Sequence, residues 1–445
     1  MWTLATPMMI GMMVQTIYTI VDMLFVGRVS GDALTALAFN LPLLFFGLGL
    51  VFGLGSGVTA IIAQYIGAKD KRNADNSAEH AVLLGVFLGT ILTVVGGVWG
   101  RELLALLGTP DNILPLAWDY FRVIAMCYLF LVLSIFFRSI LSGEGDMKTP
   151  MIIQGGGTVL NIILDPIFIF SFDMGVQGAA VATVMSQGLV AVLFAYLMLV
   201  KEHSYITFSL KDFSFSREIL KKIFIIGLPA SFSMIIMSLG GGVFNRILVS
   251  FSSEAVAGYQ IGIRLDHIFL MPAISISTSL VTLVGMFYGA QRFDLVKVIT
   301  GYAIKSCVLV AVVIGGLFFV LAPEIVKGFS SEAVIRDVGS QYLRFFVFGY
   351  PFVAISMISG RVLQGLGLGM PMLILTFLRV LLLSVALASY FVFVLGKSME
   401  WVWIAQVVSV VVSAAVATVW LVSTFRKFER GELISQDSTL PAGAA

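Results

Sequence analysis

Charge is scarce in this sequence. Only 12% of its 445 residues are Asp, Glu, Lys or Arg, about half the share usual in a soluble domain. The two cysteines, Cys127 and Cys307, stand alone in separate apolar stretches, which excludes a disulfide framework and a thiolate metal site. His80, His203 and His267 are too scattered to form an imidazole cluster. No HExxH pattern or Ser–His arrangement appears, so nothing points to an enzyme and no cofactor is expected. Lys and Arg number 27 against 25 Asp and Glu, which lacks the basic bias that nucleic acid demands. The opening MWTLATPMMI has no basic leader and no cleavage site; it reads as the start of a first span.

Apolar residues are abundant, at 59% of the chain with a mean hydropathy of +1.02. At roughly 20 apolar residues per crossing, the chain fits about twelve spans. The 44 glycines and 12 prolines suit membrane helices that pack closely or bend. Apolar windows predict spans over 3–26, 35–65, 78–99, 116–140, 150–171, 177–199, 222–249, 257–287, 299–320, 339–361, 371–395 and 401–424. The second and eighth are the longest. The expected fold is an all-α polytopic membrane protein. Its organisation is an N-terminal lobe over 1–200, a polar cytoplasmic linker over 201–221, a C-terminal lobe over 222–425 and a polar, disordered tail over 426–445.

Basic residues set the orientation. Sixteen fall in one set of connections: Lys69, Lys71, Arg72, Arg138, Lys148, Lys201, Lys211, Arg217, Lys221, Lys222, Arg292, Lys297, Arg361, Arg426, Lys427 and Arg430. The other set holds five: Arg28, Arg101, Lys327, Arg336 and Lys397. Both termini are therefore expected in the cytoplasm.

An internal repeat runs at a constant offset of 222. Pro7 matches Pro229, and GDALTAL from Gly31 matches SEAVAGY from Ser253. IGAKDK ending at Lys71 matches YGAQRF ending at Phe293, Tyr120 and Arg122 match Tyr342 and Arg344, and LSGEG from Leu141 matches LQGLG from Leu363. Each half holds an even number of spans, so the copies run in the same sense. Two parallel six-helix lobes around a central cleft are expected, which is a transporter architecture.

An ionised side chain at the bilayer centre costs about 2.5–3.5 kcal/mol by insertion scales, so each marks a candidate site. Gln15, Tyr18, Thr19 and Asp22 fall at i, i+3, i+4 and i+7 and draw one polar stripe on the first helix. Asp22 also lies near Arg28, so an interfacial salt bridge is the other reading. Pro7, fifteen residues earlier, removes a backbone donor. On the fifth span Asn161 and Asp165 share a face four residues apart, and Pro166 breaks the ladder just after the acid. On the sixth, Thr183 and Gln187 repeat that spacing. Carboxylates, an amide and a hydroxyl supply hard oxygen ligands suited to Na⁺ or to a shared proton, and spacing does not separate the two. A static hydrogen-bonded helix contact is the alternative. At the 222 offset Phe244, Leu383 and Leu387 replace Asp22, Asn161 and Asp165, so the acidic constellation belongs to the first half. In the second half Arg264 and Asp266 stand at i,i+2, do not face each other, and are expected to pair with other helices.

TPMMIGMMVQTIYTIVDMLFVGRVSGDALTALAF, AQYIGAKDK, RSILSGEGDMKTPM and NIILDPIFIF, with the YGAQ around Tyr288, resemble the multidrug and toxic compound extrusion family over essentially the whole chain. Acids confined to the first lobe are similar to the branch named after DNA-damage-inducible protein F. The resemblance implies an antiporter that expels amphipathic, often cationic drugs by alternating access in exchange for Na⁺ or H⁺. It implies that Asp22, Asn161, Asp165 and Thr183 are the cation-responsive cluster, and the Na⁺ ligands if Na⁺ is the ion. Gln15, Tyr18 and Gln187 would support them, and Pro7 would be the bend in the first helix. The seventh span lacks an acid and the tenth carries only Arg344 before Arg361, unlike the branch with acids there, so a second-lobe cation site is not expected. The implied setting is the cytoplasmic membrane of a prokaryote, with drugs and lipids as partners and a monomer as the working unit. A flippase for lipids or lipid-linked oligosaccharides is the alternative, and it would need a strongly cationic cleft.

Overall fold

The structure is a computed structural model that describes residues 1–29, 31–201, 204–209 and 213–430. The side chains at 23, 24, 26–29, 31 and 34 lie outside the description, as do His203, Lys211 and residues 431–445, which hold most of the tail expected to be disordered over 426–445; its first residues, 426–429, are helical instead, because the backbone ladder of the last span continues past its apolar window. The described residues form helices joined by turns and loops, with no strand among them. The helices are α1 (Trp2–Val29), α2 (Gly31–Gly67), α3 (Lys71–Leu106), α4 (Leu114–Glu144), α5 (Lys148–Pro166), α6 (Gly175–Ala195) and α7 (Arg217–Val249). They continue with α8 (Ser253–Gly289), α9 (Phe293–Lys327), α10 (Ala333–Phe346), α11 (Tyr350–Gly365), α12 (Met370–Phe377), α13 (Ala386–Ser389) and α14 (Glu400–Glu429). α10 with α11 and α12 with α13 each make one crossing, so among the described residues twelve spans are long and apolar enough to cross a membrane.

Two helices run well past their apolar windows. α3 begins at Lys71 instead of about 78 because its first turns are polar but helix-forming, and Asp70 caps them by accepting from the Asn73 backbone N–H. α9 continues to Lys327 at its far end. Apolar windows mark where a helix meets lipid, whereas the backbone ladder continues until capping or a turn residue stops it.

The turns repeat as the helices do. Lys69 and Gln291, 222 residues apart, both adopt a positive φ, 59° and 57°. Gly145 and Gly367, at the same offset, do so at 88° and 91°. The Gly-Ala turns and the Gly turns after α4 and α11 are thus one backbone used twice.

Two compact units emerge. One comprises Thr6–Ile66 and Asp70–Gly227; the other comprises Met1–Ala5, Gly67–Lys69 and the chain from Leu228 onward. The limits after Ala5 and after Gly227 fall inside α1 and α7, each two residues before a proline that the helix accommodates, Pro7 and Pro229. In the first unit α4 is the central helix, with 61% of its most apolar stretch buried. Its repeat equivalent α10–α11 holds that place in the second unit, also at 61%. The connection after α6 belongs to the first unit. There it is hydrogen-bonded along the start of α3 and the end of α4. The Tyr205 backbone N–H donates to Glu144 (3.0 Å), that of Thr207 to Asp75 (3.0 Å) and that of Ser209 to Glu79 (2.9 Å). The Ser216 N–H donates to Nε2 of the buried His80 (2.9 Å), whose Nδ1 bonds the Asn76 carbonyl.

Candidate functional site

The polar stripe of α1, the acid of α5 and the hydroxyl of α6 lie in the same unit. α5 ends where Pro166 removes a backbone donor, and the chain continues in a wider helical turn over Ile167–Ser171, closed by Phe172 N–H donating to the Ile167 carbonyl. Gly178 of α6 lets the helix approach that turn: a Cβ there would meet the Phe168 carbonyl carbon at 2.6 Å. Proline and glycine together seat the C-terminal end of α5, with Asp165 upon it, against α6.

Asp165 is fully buried and Asn161 nearly so. The Asn161 amide donates to Asp165 Oδ1 in a long contact of 3.5 Å. Asp165 Oδ2 and Asn161 Oδ1 are buried with no partner among the described residues. Two buried, unpaired acceptor oxygens on adjacent turns are the arrangement a proton or a hard cation would complete. Asp22 is half-buried and close enough to Asp165 for their charges to interact. The Tyr18 side chain lies beside Thr183 and both acids. The Thr183 hydroxyl in turn donates to the Ala179 carbonyl at 3.0 Å.

The other residues of the stripe are more peripheral. Gln15 is exposed, and the Thr19 hydroxyl is used within its own helix, on the Gln15 carbonyl at 3.0 Å. Gln187 is half-buried one turn beyond Thr183. Pro7 lies far along α1 from the acids, in a helix continuous from Trp2 to Val29. The side chain of Arg28, the rival partner for Asp22, lies outside the described residues. No group of three or more His, Cys, Asp or Glu occurs among the described residues, so Na⁺ would draw on the amide and hydroxyl oxygens as well as the two acids.

One member escaped the sequence reading. Tyr120, on the central helix α4, is buried and faces the charges of Asp22 and Asp165 together with Tyr18. It had served only as a marker of the repeat, and that recurrence was the available signal. Asn40 is a second. Its buried amide donates to the Ala36 and Ala117 carbonyls at 2.9 and 3.0 Å, and its own oxygen has no partner among the described residues.

Comparison with known proteins follows the same lines. A protein-family model described as MatE matches the chain twice, over residues 7–167 and 229–389. The second match starts and stops 222 residues after the first, on the register of the internal repeat. The "Probable multidrug resistance protein NorM" of Thermotoga maritima is 26% identical over 444 residues, 99% of this chain and 95% of that protein. The "Multidrug export protein MepA" of Staphylococcus aureus is 28% identical over 366 residues, 82% of this chain and 80% of that one. A crystal structure of MATE in the straight conformation is 31% identical, covers 96% of both chains and superposes with a TM-score of 0.92.

Proposed function

Since the chain belongs to the MatE family, with two matches that together span well over half of it, we propose that it is a cation-coupled antiporter. It exports amphipathic, often cationic compounds by alternating access, driven by inward movement of Na⁺ or H⁺. It is a multidrug efflux transporter of the MATE type, an integral membrane protein and not an enzyme. Acids confined to the first-unit coupling cluster support the reading that it resembles the branch named after DNA-damage-inducible protein F. Both relatives named above carry multidrug resistance or export names, which lend the flippase alternative no support.

The observation that carries the coupling role is the pair of buried, unpartnered oxygens on Asn161 and Asp165, with Asp22, Tyr18 and Thr183 beside them. An ionised pair of acids in a low-dielectric interior repels itself, and a proton or Na⁺ relieves that repulsion. Coupling requires the cation to bind one conformation of the transporter more tightly than the other, since equal affinity shifts nothing. On this reading Asp22 and Asp165 bind the cation. Asn161 and Thr183 supply neutral oxygens, and Tyr18, Gln15 and Gln187 line the approach. Pro7 weakens the ladder of α1 so that the helix changes shape as the acids change charge. Both termini face the cytoplasm, on the sixteen-to-five division of basic residues, and the monomer is the working unit.

The test is efflux of an ethidium-like dye from proteoliposomes with Na⁺ and pH gradients imposed separately. One gradient should stimulate efflux in the intact protein, and Asp22→Asn and Asp165→Asn should each remove that stimulation. Gradient-driven efflux at the normal rate in Asp22→Asn would remove Asp22 from the coupling site.

A further inference from the structure

The second unit contains a buried carboxylate that the coupling site does not use. Asp266 of α8 is 5% exposed and accepts two hydrogen bonds, from the hydroxyl of Tyr342 at 2.5 Å and from that of Tyr350 at 2.6 Å. Both are short O–H···O hydrogen bonds. The two tyrosines flank the joint between α10 and α11, where a short 3₁₀ turn over Val347–Gly349 precedes Pro351. Their rings are fixed by stacking: Tyr350 lies on Phe269 with centroids 4.3 Å apart, and Tyr342 on Phe346 at 5.4 Å.

The repeat shows that this is not a packing requirement of the fold. At the 222 offset Tyr342 matches Tyr120, Tyr350 matches Tyr128, and Asp266 matches Leu44. In the first unit Leu44 packs among the apolar neighbours of Tyr120 and Tyr128. The fold therefore accepts an aliphatic side chain beneath the two tyrosines, and the second unit carries a carboxylate there instead. The first unit's acids reach Tyr120 from α1 and α5, whereas the second unit's acid reaches Tyr342 from α8. Each unit thus sets a repeated tyrosine against an acid, by a different route.

The groups facing Asp266 are Tyr342 from α10 and Tyr350 from α11, with Tyr259 of α8 itself packed edge-on against the Tyr342 ring, centroids 5.1 Å apart. From α9, Cys307 is buried in the same core. From α14, Gln406 donates to the Tyr259 hydroxyl at 3.1 Å and leaves its own buried oxygen without a partner. Arg264 and His267, although adjacent in sequence, are exposed. No Lys, Arg or His among the described residues forms an ion pair with the acid. Its negative charge is held only by neutral hydroxyls, which can stabilise it yet leave room for a proton.

We propose that Asp266, Tyr342 and Tyr350 form a second proton-binding site, in the C-terminal repeat, that is loaded and unloaded in the transport cycle. Protonation adds one H⁺ to a carboxylate oxygen. That oxygen then donates, so the tyrosine hydroxyl facing it must turn from donor to acceptor. The last part of the proposal, loading during transport, rests on the antiport reading above.

Two measurements on the full chain in lipid test it. Infrared spectra cycled between acidic and alkaline buffer should contain a carboxylic-acid C=O band that is retained in Asp22→Asn/Asp165→Asn and lost when Asp266→Asn is added. Tyr342→Phe, which keeps the acid, should shift the midpoint of that band's titration. A pH-difference spectrum that Asp266→Asn leaves unaltered would overturn the site, because an acid fixed in one protonation state for structural reasons gives no band. Calorimetry of tetraphenylphosphonium binding in buffers of different ionisation enthalpy counts protons released per bound cation, and Asp266→Asn should lower that count. An unchanged count in Asp266→Asn, with a lowered one in Asp22→Asn or Asp165→Asn, would remove Asp266 from the cycle. An unchanged count in all three would instead overturn the antiport reading, while the infrared band would still report the site.

Discussion

Asp165 occupies a position where a carboxylate is costly to ionise, and one of its oxygens is left without a partner. Asp165→Asn keeps the shape and removes the charge. It should therefore leave the thermal midpoint in detergent unchanged or raise it by a few degrees, while gradient-driven dye efflux falls by about tenfold or more, on the pattern of a lost functional ion at a buried site. Tyr18→Phe removes a hydroxyl that lies beside Thr183 and the two acids. It should cost about 0.5–1.5 kcal/mol of stability, read by thermal unfolding, and shift the cation dependence of efflux without abolishing it. At this scale Asp22, Asn161, Asp165 and Thr183 were legible because polar residues at helical spacing in an apolar stretch are conspicuous. Tyr120 was not. An aromatic side chain on a central helix looks the same in sequence whether it fills a core or faces an acid, and its neighbours come from helices far away in the chain.

Among the helices, the C-terminal end of α5 is the part whose placement depends most on single residues. Gly178→Ala would drive a methyl group into the backbone of Phe168 and should destabilise the protein by about 1–3 kcal/mol, with efflux falling as Asp165 shifts. Gly188→Ala, on the same helix with nothing within 4 Å of the new carbon, should leave both properties unchanged. In the second unit Gly262→Ala would collide with the ring of Tyr342, at 2.1 Å from its Cδ1. The tyrosine must then move off Asp266 or α8 must part from α10. Hydropathy located all twelve crossings, but it could not show that the tenth is two helices meeting at a joint or that α3 begins seven residues early. Both are decided by local backbone chemistry, a proline in one case and a capping aspartate in the other.

For the whole molecule, the 222-residue repeat was readable from scattered matches and reappears in paired turns, in paired central helices and in the two family matches. What sequence could not convey is which unit each end of a helix joins. The first five residues of α1 belong with the second unit, where Ala5 is 2% exposed in the apolar core and the Trp2 indole N–H donates to Tyr302 at 3.1 Å. Ala5→Leu should therefore overpack that core and lower stability by about 1–3 kcal/mol, measurable as a drop in thermal midpoint. Leucine at the exposed Thr16 should have no such effect.

The connection after α6 has a practical consequence for anyone who would cut or tag this protein. As the longest polar stretch between apolar segments, it invites a protease site, an inserted fluorescent domain or a split into two co-expressed halves. Yet its backbone N–H groups at Tyr205, Thr207, Ser209 and Ser216 are engaged by Glu144, Asp75, Glu79 and His80, and Lys71 clasps the Tyr205 carbonyl at 2.7 Å. A graft placed there would strip the partners from a row of side chains on α3 and α4. The turn at Gly108, where a positive φ of 83° leaves open space around the backbone, is the better point of insertion.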